Sequence, residues 1–218
     1  MSAIGFLNSA QPDSPAARRI AVALACLLCV AVISPRLIAA DLLLTATGTI
    51  STVSVGLEPG FRVGEQVSYQ LIYDPDSPSN YARKSFGIYL DAITSFSVSA
   101  TGFAAVSPAG EIRVANNIED AGDVFIVEAS FEDGLSGPEV GRFPLTRISF
   151  QLWDIQATAW DGHRLPLAFL PASSFDNRVF SMDFVDSNST YIVTGLLDSI
   201  TVAEVPSGTA TVNEPARE

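Results

Sequence analysis

Asn117, Glu119, Asp120 and Asp123 fall within one polar run, "NNIEDAGD", beside the apolar alternation of "DVFIVEAS". Oxygen-bearing side chains gathered in this way are what a hard cation such as calcium takes. Counting Asn117 as position 1 puts Glu119 at 3, Gly122 at 6 and Glu128 at 12, the offsets of an EF-hand loop. Position 5, however, is Ala121, no helical pattern flanks the run, and Glu128 lies inside a strand-like stretch. Calcium needs about six oxygens or more, which these side chains do not supply. The run therefore reads as a turn between two strands, with a shallow calcium site at Asn117, Glu119, Asp120 and Asp123 as the alternative. Calcium is the only cofactor the sequence suggests. A second acidic turn, Asp74, Asp76, Ser77 and Asn80, is interrupted by Pro75 and Pro78, which stiffen it.

Trp160, Asp161 and His163 form the second candidate, in the turn-like "WDGH". An exposed indole offers a flat apolar face to the C–H face of a sugar, so these residues suit carbohydrate binding. The competing reading places Trp153 at a core rim and Trp160 as cover for one end of the fold. His163 is the only histidine, and the sequence has no G-x-S-x-G elbow to pair it with a nucleophilic serine. A multi-histidine zinc site is equally excluded. Glycoside cleavage needs only two carboxylates across a cleft, but among 24 acids some pair will be close by chance. A glycoside hydrolase is accordingly the third reading. No catalytic residue is assigned, and the chain reads as a non-enzyme.

The elements that must hold these residues are strands. "QVSYQLIYD", "AITSFSVSA", "EIRVAN", "DVFIVEASF", "LTRISFQLWD", "VFSMDFVD" and "DSITVAEV" each alternate apolar with polar residues. An extended chain sends neighbours to opposite faces, so each run has a dry side and a wet side. The first run, Leu42 to Val55, alternates poorly around Gly48 and Thr49, as a bulge or bend would require. Gly, Pro, Asn and Asp separate the runs. "LPLAFLPASSFDNR" has two prolines and no alternation, and reads as a long crossover. The expected fold is all-β, an antiparallel β-sandwich of jelly-roll or immunoglobulin-like topology with about 8–10 strands.

Before this domain, Arg18 and Arg19 lead into "IAVALACLLCVAVI", fourteen uncharged apolar residues, and then "SPRLIAAD". That order is the order of a secretory signal peptide. As a helix the run would reach about 21 Å, short of a ~30 Å hydrocarbon core. The expected division is residues 1–40 as a signal peptide with its signal helix, 41–205 as the β-sandwich domain, and 206–218 as a disordered tail. The signal peptide would engage the membrane only during export, and the product would be secreted, periplasmic or extracellular. Both cysteines, Cys26 and Cys29, lie in the segment to be removed, so no disulfide is expected in the product. Removal leaves 23 acids and 9 basic residues, a net of −14 against −12 for the whole chain. Such a surface repels phosphate backbones, which makes nucleic acid a poor partner.

The order of the pieces "GTISTV", "GFRVGEQVSYQLIYD", "EIRVANN", "DVFIVEAS", "RISFQLWD", "LPLAFLPASSFDNRVFSMDF" and "YIVTGLLDSITVAEVP" resembles small exported proteins of the PEP-CTERM, exosortase-sorted type, over Thr47 to Pro206. The resemblance implies a β-sandwich exported by a Gram-negative bacterium, without assigned catalytic residues, working alongside exopolysaccharide or biofilm systems. Polysaccharide or other cell-surface components are the partners it implies. That family's sorting tail has Val-Pro-Glu-Pro and then a membrane-spanning run. Here Val205-Pro206 leads into Ser207-Gly208 and a polar end, so the expectation is release without anchoring or loss of the tail. The functional expectation is an exported, non-enzymatic protein with a structural or surface role in the extracellular matrix, with a carbohydrate-binding module as the alternative.

Overall fold

The computed structural model describes residues 40–58, 60–119, 121–187 and 189–205. The expected signal segment up to residue 39, the tail from Pro206 and the candidate ligand Asp120 lie outside the described residues. The alternating runs form eleven strands: β1 (Leu42–Val53), β2 (Gln66–Tyr73), β3 (Tyr81–Arg83), β4 (Phe86–Tyr89), β5 (Ile93–Ala100), β6 (Phe103–Ser107), β7 (Glu111–Ile118), β8 (Gly122–Ser130), β9 (Leu145–Asp154), β10 (Asn177–Val185) and β11 (Thr190–Glu204). Burial follows the period of two that the sequence shows. In β1, Leu42, Leu44, Ala46 and Ile50 face the core, while Leu43, Thr45, Thr47 and Thr49 do not. Among the described residues no helix is long and apolar enough to cross a membrane.

The fold is all-β, as expected, but its strands do not divide into two sheets. They form one antiparallel sheet in the order β3-β4-β7-β8-β9-β10-β11-β1-β2-β5-β6, curled into a half-barrel. The physical reason lies at its centre, where the two longest strands, β11 and β1, pair with two register shifts. Thr47 opposes Ser199 and Gly48 opposes Leu197, so Asp198 is the extra residue of a bulge. Thr49 donates its hydroxyl to Asp198 there at 2.6 Å. A bulge bends a ladder without breaking it, and the irregularity read at Gly48 is this one. The core-facing Gly48 and Gly195 let the backbones and the Phe180 ring come together. A Cβ on Gly48 would fall 2.5 Å from the Leu196 carbonyl, and one on Gly195 2.1 Å from that of Thr49.

Curling brings strands far apart in the sheet face to face, and aromatic rings fill the space. Tyr69 on β2 meets Phe150 on β9 at 5.8 Å and Phe180 on β10 at 5.6 Å. Phe96 on β5 also reaches Phe150, at 5.9 Å. Phe61, Phe103 and Phe184 form one flanking cluster, and Phe125 links Phe150 to another made of Trp160, Phe169 and Phe175. Buried rings at these separations carry both apolar area and favourable edge contacts, and truncating one to Ala costs about 3–5 kcal/mol.

Both sheet edges are blunted. Ser136 exchanges two main-chain hydrogen bonds of 2.9 Å with Val106, covering part of edge strand β6. The other edge, β3, is three residues long and runs into Arg83 and Lys84. Short, charged edges resist strand addition by another chain.

Candidate functional site

The polar run of residues 116–123 takes in the end of β7 and the start of β8, which pair as a hairpin. Its tightness needs left-handed backbone at Asn117 (φ 52°) and Gly122 (φ 67°). At Gly122 the chain passes so near β9 that a Cβ would lie 2.1 Å from the Asp154 carbonyl. The next residue, Asp123, has no solvent exposure. Its carboxylate accepts the main-chain N–H groups of Asn117 at 3.0 Å, Ala159 at 3.0 Å and Trp160 at 3.2 Å. The acid that a calcium reading needs is thus already the acceptor that holds two loops together. Asn117 donates its side-chain amide to Asn116, Glu119 projects to solvent, and no group of three or more metal-binding side chains occurs among the described residues.

Asp154 stands directly opposite Asp123 in the β8–β9 ladder and is 2% exposed. It accepts N–H from Gln156 at 3.0 Å and from Thr158 at 2.7 Å, and the Thr158 hydroxyl at 2.9 Å. Burial pushes its pKa up, but these bonds, with the Ala159 N–H nearby, outweigh that and hold the carboxyl below its ordinary range. A glycosidase needs its two carboxyls open to a cleft that admits the sugar, and this pair is not. Both acids are sealed from solvent, and their oxygens face main-chain donors where a glycosidic oxygen would have to be.

What the two acids fasten is the connection of residues 155–176 between β9 and β10; the stretch 165–178 read from the sequence as a long crossover instead closes a long hairpin, because β9 and β10 are antiparallel neighbours and residues 177–178 already belong to β10. It is tied down along its length. Asn116 on β7 donates its side-chain amide to the Trp160 carbonyl, Tyr89 on β4 donates its hydroxyl to the His163 carbonyl at 2.7 Å, and Tyr73 on β2 donates to the Pro166 carbonyl. Strands β2 and β4 lie far apart in the sheet order, so the connection bridges the open side of the half-barrel. Burial pushes the Tyr73 hydroxyl well above its ordinary pKa. It raises Tyr89 as well, against the opposing effects of Arg164 and Ser79.

Trp160 is part of this plug. Its ring packs with Phe125 at 6.2 Å, Phe169 at 6.2 Å and Phe175 at 6.0 Å, and its indole N–H donates to the Ala115 carbonyl at 2.9 Å. The half-buried ring covers an end of the core and is no free platform for a sugar. Asp161 is exposed, and His163 lines a cleft of about 320 Å³ with Arg164, Asp76 and Ser77. The second acidic turn is also internally spent: Asp74 accepts the Asp76 N–H at 2.9 Å and the Ser77 hydroxyl at 3.3 Å.

The sequence reading passed over the outer face of the sheet. There Thr201, Thr45, Gln70 and Ser97 stand opposite one another across β11, β1, β2 and β5, and Ser199, Thr47, Ser68 and Ser99 form the next row. Strands lie about 4.8 Å apart and same-face neighbours about 7 Å apart, so the rows form a regular lattice of small polar groups. Its signal was present in "SFSVSA", where the serines registered only as the wet side of a strand.

No family model, no curated protein and no solved structure matches this chain.

Proposed function

We propose that this chain is an exported, non-catalytic β-domain with a structural or surface role outside the cytosol, in contact with polysaccharide or other cell-surface components and not with nucleic acid. The observation that carries the reading is how the chemistry-bearing side chains are used. Asp123, Asp154, Asn116, Tyr73, Tyr89 and Trp160 all give their polar atoms to main-chain groups of the plug and its anchors. The signal-like segment before Asp41, the exclusion of both cysteines from the domain and the resemblance to exosortase-sorted exported proteins support the export half of the proposal. The acidic balance supports the exclusion of nucleic acid.

The test is fractionation of cells expressing the full gene, followed by mass spectrometry of the amino terminus. The expected result is material outside the cytosol beginning at Asp41. An intact amino terminus on cytosolic protein overturns export, and release of reducing ends from a polysaccharide panel overturns the non-catalytic part.

A second reading, carbohydrate binding, is favoured by the outer lattice of hydroxyl and amide groups, which replaces Trp160 as the surface suited to it.

A further inference from the structure

The lattice is deepest where β2, β5 and β6 meet the Ser136–Gly137 segment. A groove of about 460 Å³ opens there, with Ser68, Gln70, Ser97 and Ser99 lining its floor and Ala104 and Val106 its side. Three properties of this groove bear on what it takes. First, none of its lining residues is charged, in a chain of net charge −12. Secondly, Ser68, Gln70, Ser97 and Ser99 make no side-chain hydrogen bond to any described residue, unlike neighbouring Thr47, which is bonded to Ser199 at 2.7 Å, and Thr49, which is bonded to Asp198 and Gln66. Each of these groups offers both donor and acceptor capacity. Thirdly, Val106 is 48% exposed, so an apolar wall stands beside the polar floor.

We infer that this groove is a docking site for a neutral polysaccharide chain lying across the strands. The inference deepens the carbohydrate-binding reading and rests on it. A neutral sugar chain presents hydroxyls that donate and accept in turn, and C–H faces that suit Val106 and Ala104. An anionic chain finds no cation in the groove and is repelled by the rest of the acidic surface. A cationic partner finds no carboxylate there, although carboxylates abound elsewhere. A second copy of this chain brings the same negative charge. With no aromatic ring at the groove, each contact is weak, and retention depends on several sugar units binding along one chain.

The experiment is affinity electrophoresis of the full chain through gels containing a neutral glucan, mannan or xylan, with polygalacturonate as the acidic contrast. The variants are Ser68→Ala/Ser97→Ala/Ser99→Ala in the groove and Trp160→Phe in the plug, each checked by thermal melting. The expected result is retardation by at least one neutral polysaccharide, weakened tenfold or more in the triple variant and retained in Trp160→Phe. Retardation that survives the triple variant overturns the groove and leaves the carbohydrate-binding reading standing. Equal retardation by polygalacturonate overturns the neutral preference. No retardation on any neutral polysaccharide overturns both groove and carbohydrate binding, while export and the surface role stand on their own test. Concentration-dependent dimerisation abolished by the triple variant assigns the face to a second copy and overturns the inference. If the triple variant melts early, Gln70→Glu supplies the same test from a more exposed position.

Discussion

Replacing Asp123 by Ala is the sharpest test of the reading that this chain uses its acids as fasteners. The side chain is wholly buried, and its removal leaves the N–H groups of Asn117, Ala159 and Trp160 without an acceptor. A buried donor left unpaired costs about 1–3 kcal/mol, and hydrogen bonds to a charged acceptor lie in the upper part of that range. The three costs do not simply add, because the plug can lift and admit water once its anchor is gone, so the expected loss is about 3–5 kcal/mol. Against a total stability of about 5–15 kcal/mol that is a large fraction. A domain of this size shifts its melting midpoint by about 2–4 °C for each kcal/mol, so the fall should be about 6–20 °C. Asp123→Asn keeps one carbonyl oxygen but sets an amide NH2 against a donor, and should fall between the two. The assay is thermal melting followed by circular dichroism and by Trp160 fluorescence, run with and without millimolar calcium. A midpoint for Asp123→Ala within about 2 °C of wild type, about 1 kcal/mol or less, would refute the fastening argument. A calcium-dependent rise in wild type that Asp123→Asn abolishes would restore the metal reading.

Other consequences follow from the same geometry. Gly195→Ala forces a Cβ to 2.1 Å from the Thr49 carbonyl and 2.4 Å from the Phe180 ring, and should destabilise by about 1–3 kcal/mol or more in urea denaturation. Tyr73→Phe removes the donor to the buried Pro166 carbonyl and should cost about 1–2 kcal/mol, with faster proteolytic cleavage inside residues 155–176 as the local readout. The two tryptophans should differ: Trp160→Phe loses the bond to Ala115 and costs about 1–2 kcal/mol, whereas Trp153→Phe discards a buried indole N–H that has no partner among the described residues and should stay within about 1 kcal/mol of wild type. The pH profile should fall at both ends. The lowered Asp154 pKa means its stabilisation is complete above about pH 4 and is lost as pH falls below that, a slope that Asp154→Asn flattens. The raised Tyr69 and Tyr73 pKa values mean their contribution is complete below about pH 10 and is lost as pH rises past it.

Strand positions and faces were legible in the sequence because burial on one side leaves a period of two, and the bulge was legible because Gly48 interrupted that period. The number of sheets was not legible. Alternation tells which face of a strand is dry but not which strand pairs with which, and at one of the two register shifts of the β1–β11 ladder the extra residue is Asp198, whose type differs in no way from a surface acid. The candidate sites failed to be legible for a related reason. Asp123 and Trp160 have the types and spacings of a ligand and a sugar platform, but those types serve equally well as a buried acceptor and a core cover. Only the fold of residues 155–176 decides between the two uses. The outer hydroxyl rows were hidden differently: their members are scattered over β1, β2, β5 and β11, and no linear motif could unite them.

The plug also bears on how a domain without cysteine holds a long connection in place. A disulfide closing a loop would restrict the unfolded chain; here the long connection is instead held by buried polar groups from β2, β4, β7, β8 and β9 acting on its main chain. Such bonds are short-ranged and lie within a low-dielectric interior, so salt screens them far less than surface ion pairs. The cost is the sensitivity to acid and alkali at Asp154 and Tyr73 set out above. With the acids and the indole of the connection engaged, the uncharged groove over β2, β5 and β6 is one stretch of the outer face where Ser68, Gln70, Ser97 and Ser99 make no side-chain bond to any described residue, and it is on those groups that the proposed docking of a neutral polysaccharide draws.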